Sequence, residues 1–140
     1  ILGICLGMQL LASMSNEFSL TAGLGLIGGE VQRIPEIGVG GAALKVPYVG
    51  WAPLRVNKDF PSVSSCLHSA SNKAVYFVHS FHLVPENSSN LLASYCYNGV
   101  EITAAVQKGN VTGVQFHPEK SGVVGLQIIK NFIQDGLGEV

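Results

Sequence analysis

Residues 1–14 read ILGICLGMQLLASM and carry the first strong structural signal of the chain. Residues 1–4 have the apolar character of a buried strand end, whereas apolar side chains recur at helical spacing over residues 6–14. A Gly-x-Cys-x-Gly turn, from Gly3 to Gly7, joins the two elements. A strand that passes through a tight turn into a helix is typical of α/β proteins, so we predict an α/β fold.

The turn gives Cys5 the position of a catalytic nucleophile in a strand-to-helix turn. Gly3 and Gly7 are expected to be needed there, because side chains beside a strained turn would collide with neighbouring backbone. The start of the helix favours a thiolate, and the backbone N–H of Leu6 can donate to an oxyanion. The alternative is that Cys5 is a small, buried apolar residue.

Residues 115–121 read QFHPEKS and hold a second candidate site. Alternation along a strand puts His117 and Glu119 on one face, and Pro118 marks the end of that strand. A carboxylate beside an imidazole fixes its tautomer and stabilises the imidazolium. His-Pro-Glu alone is also compatible with a surface turn. Together with Cys5 it supplies a nucleophile, a base and an orienting acid, a complete set for acyl transfer.

The composition excludes several classes of protein. The length of 140 residues suits one domain, and 47% hydrophobic with 12% charged residues excludes a disordered segment. A net charge of -1 gives no basic field for nucleic acid or a membrane surface. No apolar run approaches the ~20 residues of a membrane-spanning helix, and no signal peptide is recognisable. Three cysteines without paired spacing indicate a reducing, cytoplasmic setting.

The remaining pattern predicts more strand than helix. Further strands are expected at residues 30–34, 52–56, 75–82, 91–97, 100–107 and 111–116. A final helix is expected between Ser121 as N-cap and Gly136 after its last turn. Its inward face is predicted to consist of Leu126, Ile129, Phe132 and Ile133.

Two other motifs resemble a cofactor site and a metal site. Residues 23–28, GLGLIG, match G-x-G-x-x-G, but neither a preceding strand nor a following helix supports dinucleotide binding. His79 and His82 are three residues apart, which places them on opposite faces of a strand, with no cluster of further ligands. We therefore expect no cofactor and no metal.

The combination of residues 3–9, GICLGMQ, with residues 115–121 resembles the class I glutamine amidotransferase family, nearly over the whole chain and in the same order. Residues 23–27, 45–51 and 76–80 resemble more narrowly the glutaminase subunits of imidazole glycerol phosphate synthases. The resemblance implies a three-layer, mixed-sheet, flavodoxin-like α/β domain. Cys5 is then expected at the carboxyl end of a strand, where open α/β sheets place their sites.

The resemblance also implies an activity, hydrolysis of L-glutamine to glutamate and ammonia. Cys5 would attack the side-chain amide, His117 would act as base and then acid, and Glu119 would orient His117. Positions that bind substrate or line its pocket in the family correspond to Gln9, Glu17, Ser80 and Phe81. Positions that face the partner correspond to Tyr48, Trp51 and Lys120. That partner is a (β/α)8-barrel synthase subunit, which receives the ammonia in a heterodimer and makes imidazole glycerol phosphate for histidine biosynthesis.

The sequence departs from the family pattern in two ways. Tyr48 and Ala52 replace a His and an Asn that flank the Gly-Trp pair, on a segment expected to face the partner. A related amidotransferase that supplies ammonia for amination of surface sugars is therefore an alternative. The family also has roughly half a domain before the nucleophile turn. Residues 1–140 are thus expected to be the C-terminal part of a single domain, with a non-catalytic interaction fragment as the second alternative.

Overall fold

The fold of the chain is given by a computed structural model, which describes residues 1–60 and 66–137. The elements follow each other as β1 Leu2–Ile4, α1 Leu6–Leu10, β2 Met14–Ser15, β3 Thr21–Ala22, β4 Gly29–Arg33, β5 Tyr48–Pro53, β6 Arg55–Val56, β7 Ala74–His79, β8 Phe81–Pro85, β9 Leu91–Tyr97, β10 Val100–Lys108, β11 Val111–Val114 and α2 Gly122–Leu137. Single 3-10 turns lie at Val39–Gly41, His68–Ala70, Ser88–Asn90 and Pro118–Lys120. No helix in these two ranges is long and apolar enough to cross a membrane.

The largest sheet has five strands in the order β1-β11-β10-β9-β6. β1 runs parallel to β11, and the other neighbours are antiparallel. The sheet is therefore mixed, as predicted. Because parallel strands end at the same edge, the segments that follow β1 and β11 emerge side by side.

Two smaller sheets accompany the large one, a four-stranded sheet β3-β2-β4-β8 and the pair β5-β7. The single strand predicted over residues 75–82 is wrong, because the chain changes sheet at Ser80. The carbonyl of Ser80 accepts the N–H of Ile34 at 2.8 Å instead of continuing β7. The strand predicted over residues 52–56 divides in the same way at Leu54, whose N–H and carbonyl bind the segment at residues 72–73.

Apolar residues cover both faces of the large sheet. On one face, Phe77 packs against Tyr95 and Phe116, with ring centroids 4.3 and 5.8 Å away. On the other face, Met8 of α1 lies against Gly113, where an added Cβ would come within 2.8 Å of the Met8 Cγ. Glycine at residue 113 thus lets α1 approach the sheet closely, which fixes the turn that precedes α1.

Both helices differ from their predicted form. α1 ends at Leu10, not at residue 14, because the chain turns there and Met14 joins strand β2 beside β4. α2 continues past Gly136 to Leu137, so Gly136 does not end it. The predicted inward face of α2 is wrong for two residues, since Leu126 is 62% and Ile133 53% exposed.

The inward face of α2 is built around a glycine. Gly125 and Ile128 are buried and Phe132 is half-buried, at the i, i+3, i+7 spacing of one helix face. Gly125 contacts the carbonyl of Pro118 so closely that an added Cβ would lie 1.8 Å from that oxygen. This contact turns Leu126 and Ile133 toward solvent and ties α2 to the Pro118–Lys120 turn.

Candidate active site

Cys5 occupies the strained turn that the sequence predicts. It lies directly after β1 and before α1, with φ 52° and ψ -107°. A non-glycine residue in this region costs of order 1–3 kcal/mol and is held only where its surroundings impose it. Its N–H continues the sheet by donating to the carbonyl of Val114 at 2.8 Å. The turn therefore presents the thiol at the carboxyl end of β1.

The two flanking glycines are not equivalent. A Cβ on Gly3 would lie 2.6 Å from the carbonyl oxygen of Gly7 and 2.9 Å from the nitrogen of Met8, so the turn needs glycine there. A Cβ on Gly7 would meet nothing within 4 Å among the described residues. The expectation that the turn needs both glycines is therefore wrong for Gly7.

The Cys5 thiol is half-buried, and burial raises its pKa above the ordinary value of a cysteine. Hydrogen bonds from the backbone N–H of Leu6 and the amide of Gln115 act in the opposite direction, and the Glu119 carboxylate raises the pKa further. The start of α1 thus favours the thiolate as predicted, through the N–H of Leu6, but burial outweighs this effect and keeps the thiol neutral. A neutral thiol needs a base to become a nucleophile.

His117 and Glu119 form the pair that could supply this base. Nδ1 of His117 lies 2.6 Å from Oε1 of Glu119. Although partial burial acts to raise the pKa of Glu119, its hydrogen bond with His117 and the nearby Lys120 charge lower it, so it is a carboxylate at neutral pH. An Nδ1–H that donates to this carboxylate leaves Nε2 as the basic nitrogen. Within residues 1–60 and 66–137, no hydrogen bond occupies this nitrogen.

The geometry behind this pair differs from the predicted one. β11 ends at Val114, and Glu119 lies in the Pro118–Lys120 turn, so the two side chains meet through a turn and not through strand alternation. The turn is fixed to β7. The N–H of His117 donates to the carbonyl of Tyr76 at 3.0 Å. Oγ of Ser121 accepts the N–H of Tyr76 at 3.0 Å and donates to the carbonyl of His117 at 2.7 Å.

The sheet brings the two motifs to one edge. Cys5 follows β1, and His117 comes three residues after the end of its parallel neighbour β11. The Glu119 carboxylate is close enough to act on the charge of Cys5. The thiol, the imidazole and the carboxylate therefore lie in one region of the molecule, an arrangement compatible with acyl transfer.

The amide side chains beside the thiol form a connected group. Gln9 donates through Nε2 to the carbonyl of Phe81 at 3.0 Å and to Oε1 of Gln115 at 3.2 Å. Gln115 in turn donates through Nε2 to Sγ of Cys5 at 3.6 Å. Gln9 and Phe81 were expected at the site. Sequence reasoning gave Gln115 no role, although a glutamine inside an otherwise apolar strand end was a usable signal.

No side-chain hydrogen bond in the described ranges joins the other two residues expected to bind substrate, Glu17 and Ser80, to this group. Glu17 is half-buried in the segment after β2, where its N–H donates to Oγ of Ser15 at 3.2 Å. No hydrogen bond or ion pair joins its carboxylate to Cys5 or His117 in the described ranges. Ser80 lies at the junction of β7 and β8, next to Phe81. Roles for Glu17 and Ser80 in binding substrate stay predictions.

The residues expected to face a partner have different surroundings. Trp51 is 55% exposed on β5 and packs on Tyr76 of β7, with ring centroids 5.9 Å apart. Lys120 is exposed in the turn that carries Glu119. Tyr48 instead packs against a group of aromatic rings and donates from its hydroxyl to the carbonyl of Trp51 at 3.2 Å. Those rings, with centroids 4.8 to 6.1 Å from Tyr48, belong to Phe77, Tyr95 and Tyr97.

The two histidines considered as metal ligands are hydrogen-bonded within the protein. His79 binds the hydroxyl of Tyr95 and the carbonyl of Phe81, both at 2.8 Å, and Nδ1 of His82 accepts the N–H of Thr103. No group of three potential metal ligands occurs in the described part of the chain. Residues 23–28 form an irregular segment that leads into strand β4, not into a helix.

Known proteins are similar to this chain in sequence and in fold. The sequence model of the class-I glutamine amidotransferase family matches residues 1–135. The chain is 48% identical over 142 residues to imidazole glycerol phosphate synthase subunit HisH of Geobacillus sp. strain WCH70, covering 100% of this chain and 65% of that protein. It is 49% identical over 134 residues to the subunit HisH of Methanosarcina barkeri, covering 94% and 61%. The chain thus spans less than two thirds of the length of these relatives.

Solved structures show the same fold at lower sequence identity. PurLQS from Thermotoga maritima superposes with a TM-score of 0.65 at 22% identity, over 96% of this chain and 61% of that chain. A glutamine amidotransferase from the same organism gives a TM-score of 0.55 at 17% identity, over 99% and 48%. With the family match over residues 1–135, the chain belongs to the class I glutamine amidotransferases.

Proposed function

We propose that the protein carrying this chain hydrolyses L-glutamine to glutamate and ammonia, with Cys5, His117 and Glu119 as its catalytic residues. One observation carries the proposal. A cysteine held at φ 52° ends a strand whose parallel neighbour leads into an imidazole–carboxylate pair only 2.6 Å apart. Family membership and relatives named as synthase subunits support the choice of glutamine.

In the first half of the reaction, Nε2 of His117 takes the thiol proton and Sγ of Cys5 bonds to the amide carbon of the glutamine side chain. The N–H of Leu6 donates to the oxyanion that forms. His117 then returns the proton to the amide nitrogen, the carbon–nitrogen bond breaks and ammonia leaves a glutamyl thioester. Glu119 stabilises the imidazolium during the interval in which it is charged.

In the second half, water attacks the thioester carbon while His117 removes one of its protons. The carbon–sulfur bond breaks, the sulfur regains a proton from His117, and glutamate is released. The raised pKa of Cys5 fits this scheme. A neutral thiol has a proton to give to His117, and it is stable between turnovers.

For the ammonia we propose a synthase partner, a (β/α)8-barrel subunit that makes imidazole glycerol phosphate in the cytoplasm. The relatives at 48% and 49% identity are named as subunits of that synthase. The pair β5-β7 offers a surface for such a partner, since Val49, Trp51 and Val78 are apolar and exposed on it. In this surface Trp51 is the anchor, because large aromatic residues dominate binding energies.

The alternative partner, an enzyme that aminates surface sugars, loses its main argument. It rested on Tyr48 and Ala52 lying on a surface loop that faces the partner. Both belong to strand β5, Ala52 is buried, and the ring of Tyr48 is half-buried against other aromatic rings. These substitutions therefore change the interior of the protein more than its surface.

The test is glutamate release by the full-length gene product with and without the synthase subunit. Cys5→Ala should lower turnover by at least about 10³-fold, since removal of a catalytic nucleophile commonly costs this much or more. Cys96→Ala is the matched control, because Cys96 is exposed on β9 and outside the site. Turnover in Cys5→Ala equal to that of the control, with an unchanged circular dichroism spectrum, refutes the assignment. Absence of turnover in the native protein under both conditions favours the non-catalytic alternative.

A further inference from the structure

Gln115 is a buried polar residue that contacts the thiol of Cys5. It follows the last residue of β11, and its backbone N–H donates to the carbonyl of Ala104 at 2.8 Å. The residue is fully buried, yet no polar atom of its side chain lacks a partner. Its Nε2 donates to Sγ of Cys5, and its Oε1 accepts from Gln9. A buried amide with these two partners connects α1, β11 and the thiol.

Gln9 fixes the orientation of the Gln115 amide. Nε2 of Gln9 donates to the carbonyl of Phe81, so Gln9 presents a donor, not an acceptor, to Gln115. Reversal of the Gln115 amide would oppose two NH₂ groups and turn an oxygen toward the sulfur. The same carbonyl of Phe81 lies 2.8 Å from Nδ1 of His79, whose other nitrogen lies 2.8 Å from the hydroxyl of Tyr95. The direction of the hydrogen bond to the sulfur is therefore set by the core.

We propose that Gln115 is a positioning residue, which holds the Cys5 sulfur in place and stabilises its anionic form while Gln9 fixes the direction of the Gln115 amide. The catalytic role of Gln115 rests on the proposed glutaminase function. A donor to the sulfur favours the thiolate over the thiol. The amide thus counteracts the burial of the thiol at the stage where His117 has taken its proton.

Few other groups act on the charge of the thiol. The Glu119 carboxylate disfavours the thiolate, and the backbone N–H of Leu6 favours it. His117 lies on the same segment as Glu119, and α1 has neither an acidic residue in its first turn nor a basic residue in its last turn. Gln115 is therefore the one side-chain donor to Sγ among the described residues.

The proposal also changes the role expected for Gln9. The resemblance to the family assigns this residue to substrate binding, but both hydrogen bonds of its Nε2 are made within the protein. Gln9 can hold a substrate only through its remaining oxygen or by giving up one of these bonds. Substitution of Gln9 should therefore affect thiol reactivity even in the absence of glutamine.

The test is the pH profile of alkylation at Cys5 by iodoacetamide in the full-length gene product, followed by mass spectrometry of the peptide that contains Cys5. Gln115→Met keeps the approximate volume and removes the donor. We expect its profile to move to higher pH, with a rate about 3- to 10-fold lower below the inflection and unchanged above it. Gln115→Glu, which has nearly the same shape, should move the profile at least as far, because it places an anion beside the sulfur.

Gln107→Met is the matched control. Gln107 lies on β10, the neighbour of β11, and among the described residues its amide donates only to the carbonyl of Gly109. Its profile should coincide with that of the native protein. Profiles of Gln115→Met and Gln115→Glu that also coincide with the native one, in folded protein, overturn the proposal, as does a loss of turnover without any shift of the profile. Alkylation needs no glutamine, so a shifted profile in a protein without glutaminase activity would refute the proposed function and retain this inference.

Discussion

Gly125→Ala tests whether the close contact between α2 and the His-Pro-Glu turn determines the geometry of the site. In the structure, a Cβ at residue 125 would lie 1.8 Å from the carbonyl oxygen of Pro118, 2.7 Å from its carbonyl carbon and 2.8 Å from Cβ of Ser121. Two of these three atoms belong to the backbone, so no side-chain rotation relieves the overlap. Either α2 or the Pro118–Lys120 turn has to move by roughly 1 Å or more to restore a normal contact.

The size of the effect follows from two opposing contributions. Forcing a methyl group into a packed contact costs about 1–3 kcal/mol, and an overlap with backbone belongs at the upper end. Replacing glycine by alanine inside a helix returns up to about 1 kcal/mol. Gly136→Ala, on the same helix, also replaces glycine by alanine but forces no overlap, because its Cβ would meet nothing within 4 Å in residues 1–60 and 66–137. The difference between the two variants, about 1–3 kcal/mol in free energy of unfolding, therefore measures the contact.

Gly125→Ala should also lower the rate of glutamate release. If the Pro118–Lys120 turn is the part that moves, it carries Glu119 and the adjacent His117 with it, and a displacement of about 1 Å changes their position relative to the Cys5 thiol. A misplacement of this size can cost about 100-fold in rate. Urea unfolding and glutamate release, both in the full-length gene product, give the two quantities. If Gly125→Ala matches Gly136→Ala in both measurements, then α2 does not set the position of the pair and the argument fails.

Three further predictions concern other features of the chain. Burial lowers the pKa of His79 and His82 to about 4, so between pH 6.5 and 4 the unfolded chain binds protons that the folded chain excludes. The free energy of unfolding should therefore decrease as the pH is lowered through this window, by up to roughly 3 kcal/mol per histidine. His79→Phe should reduce the slope of this free energy against pH. Equal slopes for the variant and the native protein, measured by urea titration, would contradict this. Gly3→Ala should lose roughly 1–3 kcal/mol more stability than Gly7→Ala in the same assay, since only the former meets backbone atoms, and equal losses would disprove the packing argument. Trp51→Glu should weaken binding of the synthase subunit by about 30-fold or more in calorimetry while the fold is retained, and an unchanged affinity would exclude the β5-β7 surface as the interface.

Features of the site that depend on local backbone conformation could be predicted from the sequence. The Gly-x-Cys-x-Gly turn was predictable because a nucleophile at positive φ needs a small neighbour, and Gly3 fills that requirement. The partnership of His117 with Glu119 was predictable from their separation by one residue. The mixed sheet with Cys5 at a strand end followed from the resemblance to the family.

Features that depend on the assembled chain were not predictable in this way. The break at Ser80 is invisible to a pattern of alternation, because β7 and β8 both keep apolar residues at alternate positions while pairing in different sheets. The inward face of α2 was misassigned because Gly125, its closest contact, carries no hydrophobic signal. The raised pKa of Cys5 was not predictable from the local sequence, because the lowering effect of the Leu6 N–H is outweighed by burial, which depends on residues distant in sequence.

The parallel pairing of β1 with β11 has a consequence for how the site comes into existence. It brings together groups that are 110 residues apart in sequence, such as Cys5 and Gln115. Contacts of such long range form only after the intervening chain has lost conformational entropy. This cost slows folding, although it changes the final stability little. Cys5 and His117 should consequently meet in one of the last steps of folding. Separation of β1 from β11 would abolish activity while β9 and β10 still hold the centre of the sheet, so inactivation on heating should precede loss of the far-ultraviolet circular dichroism signal.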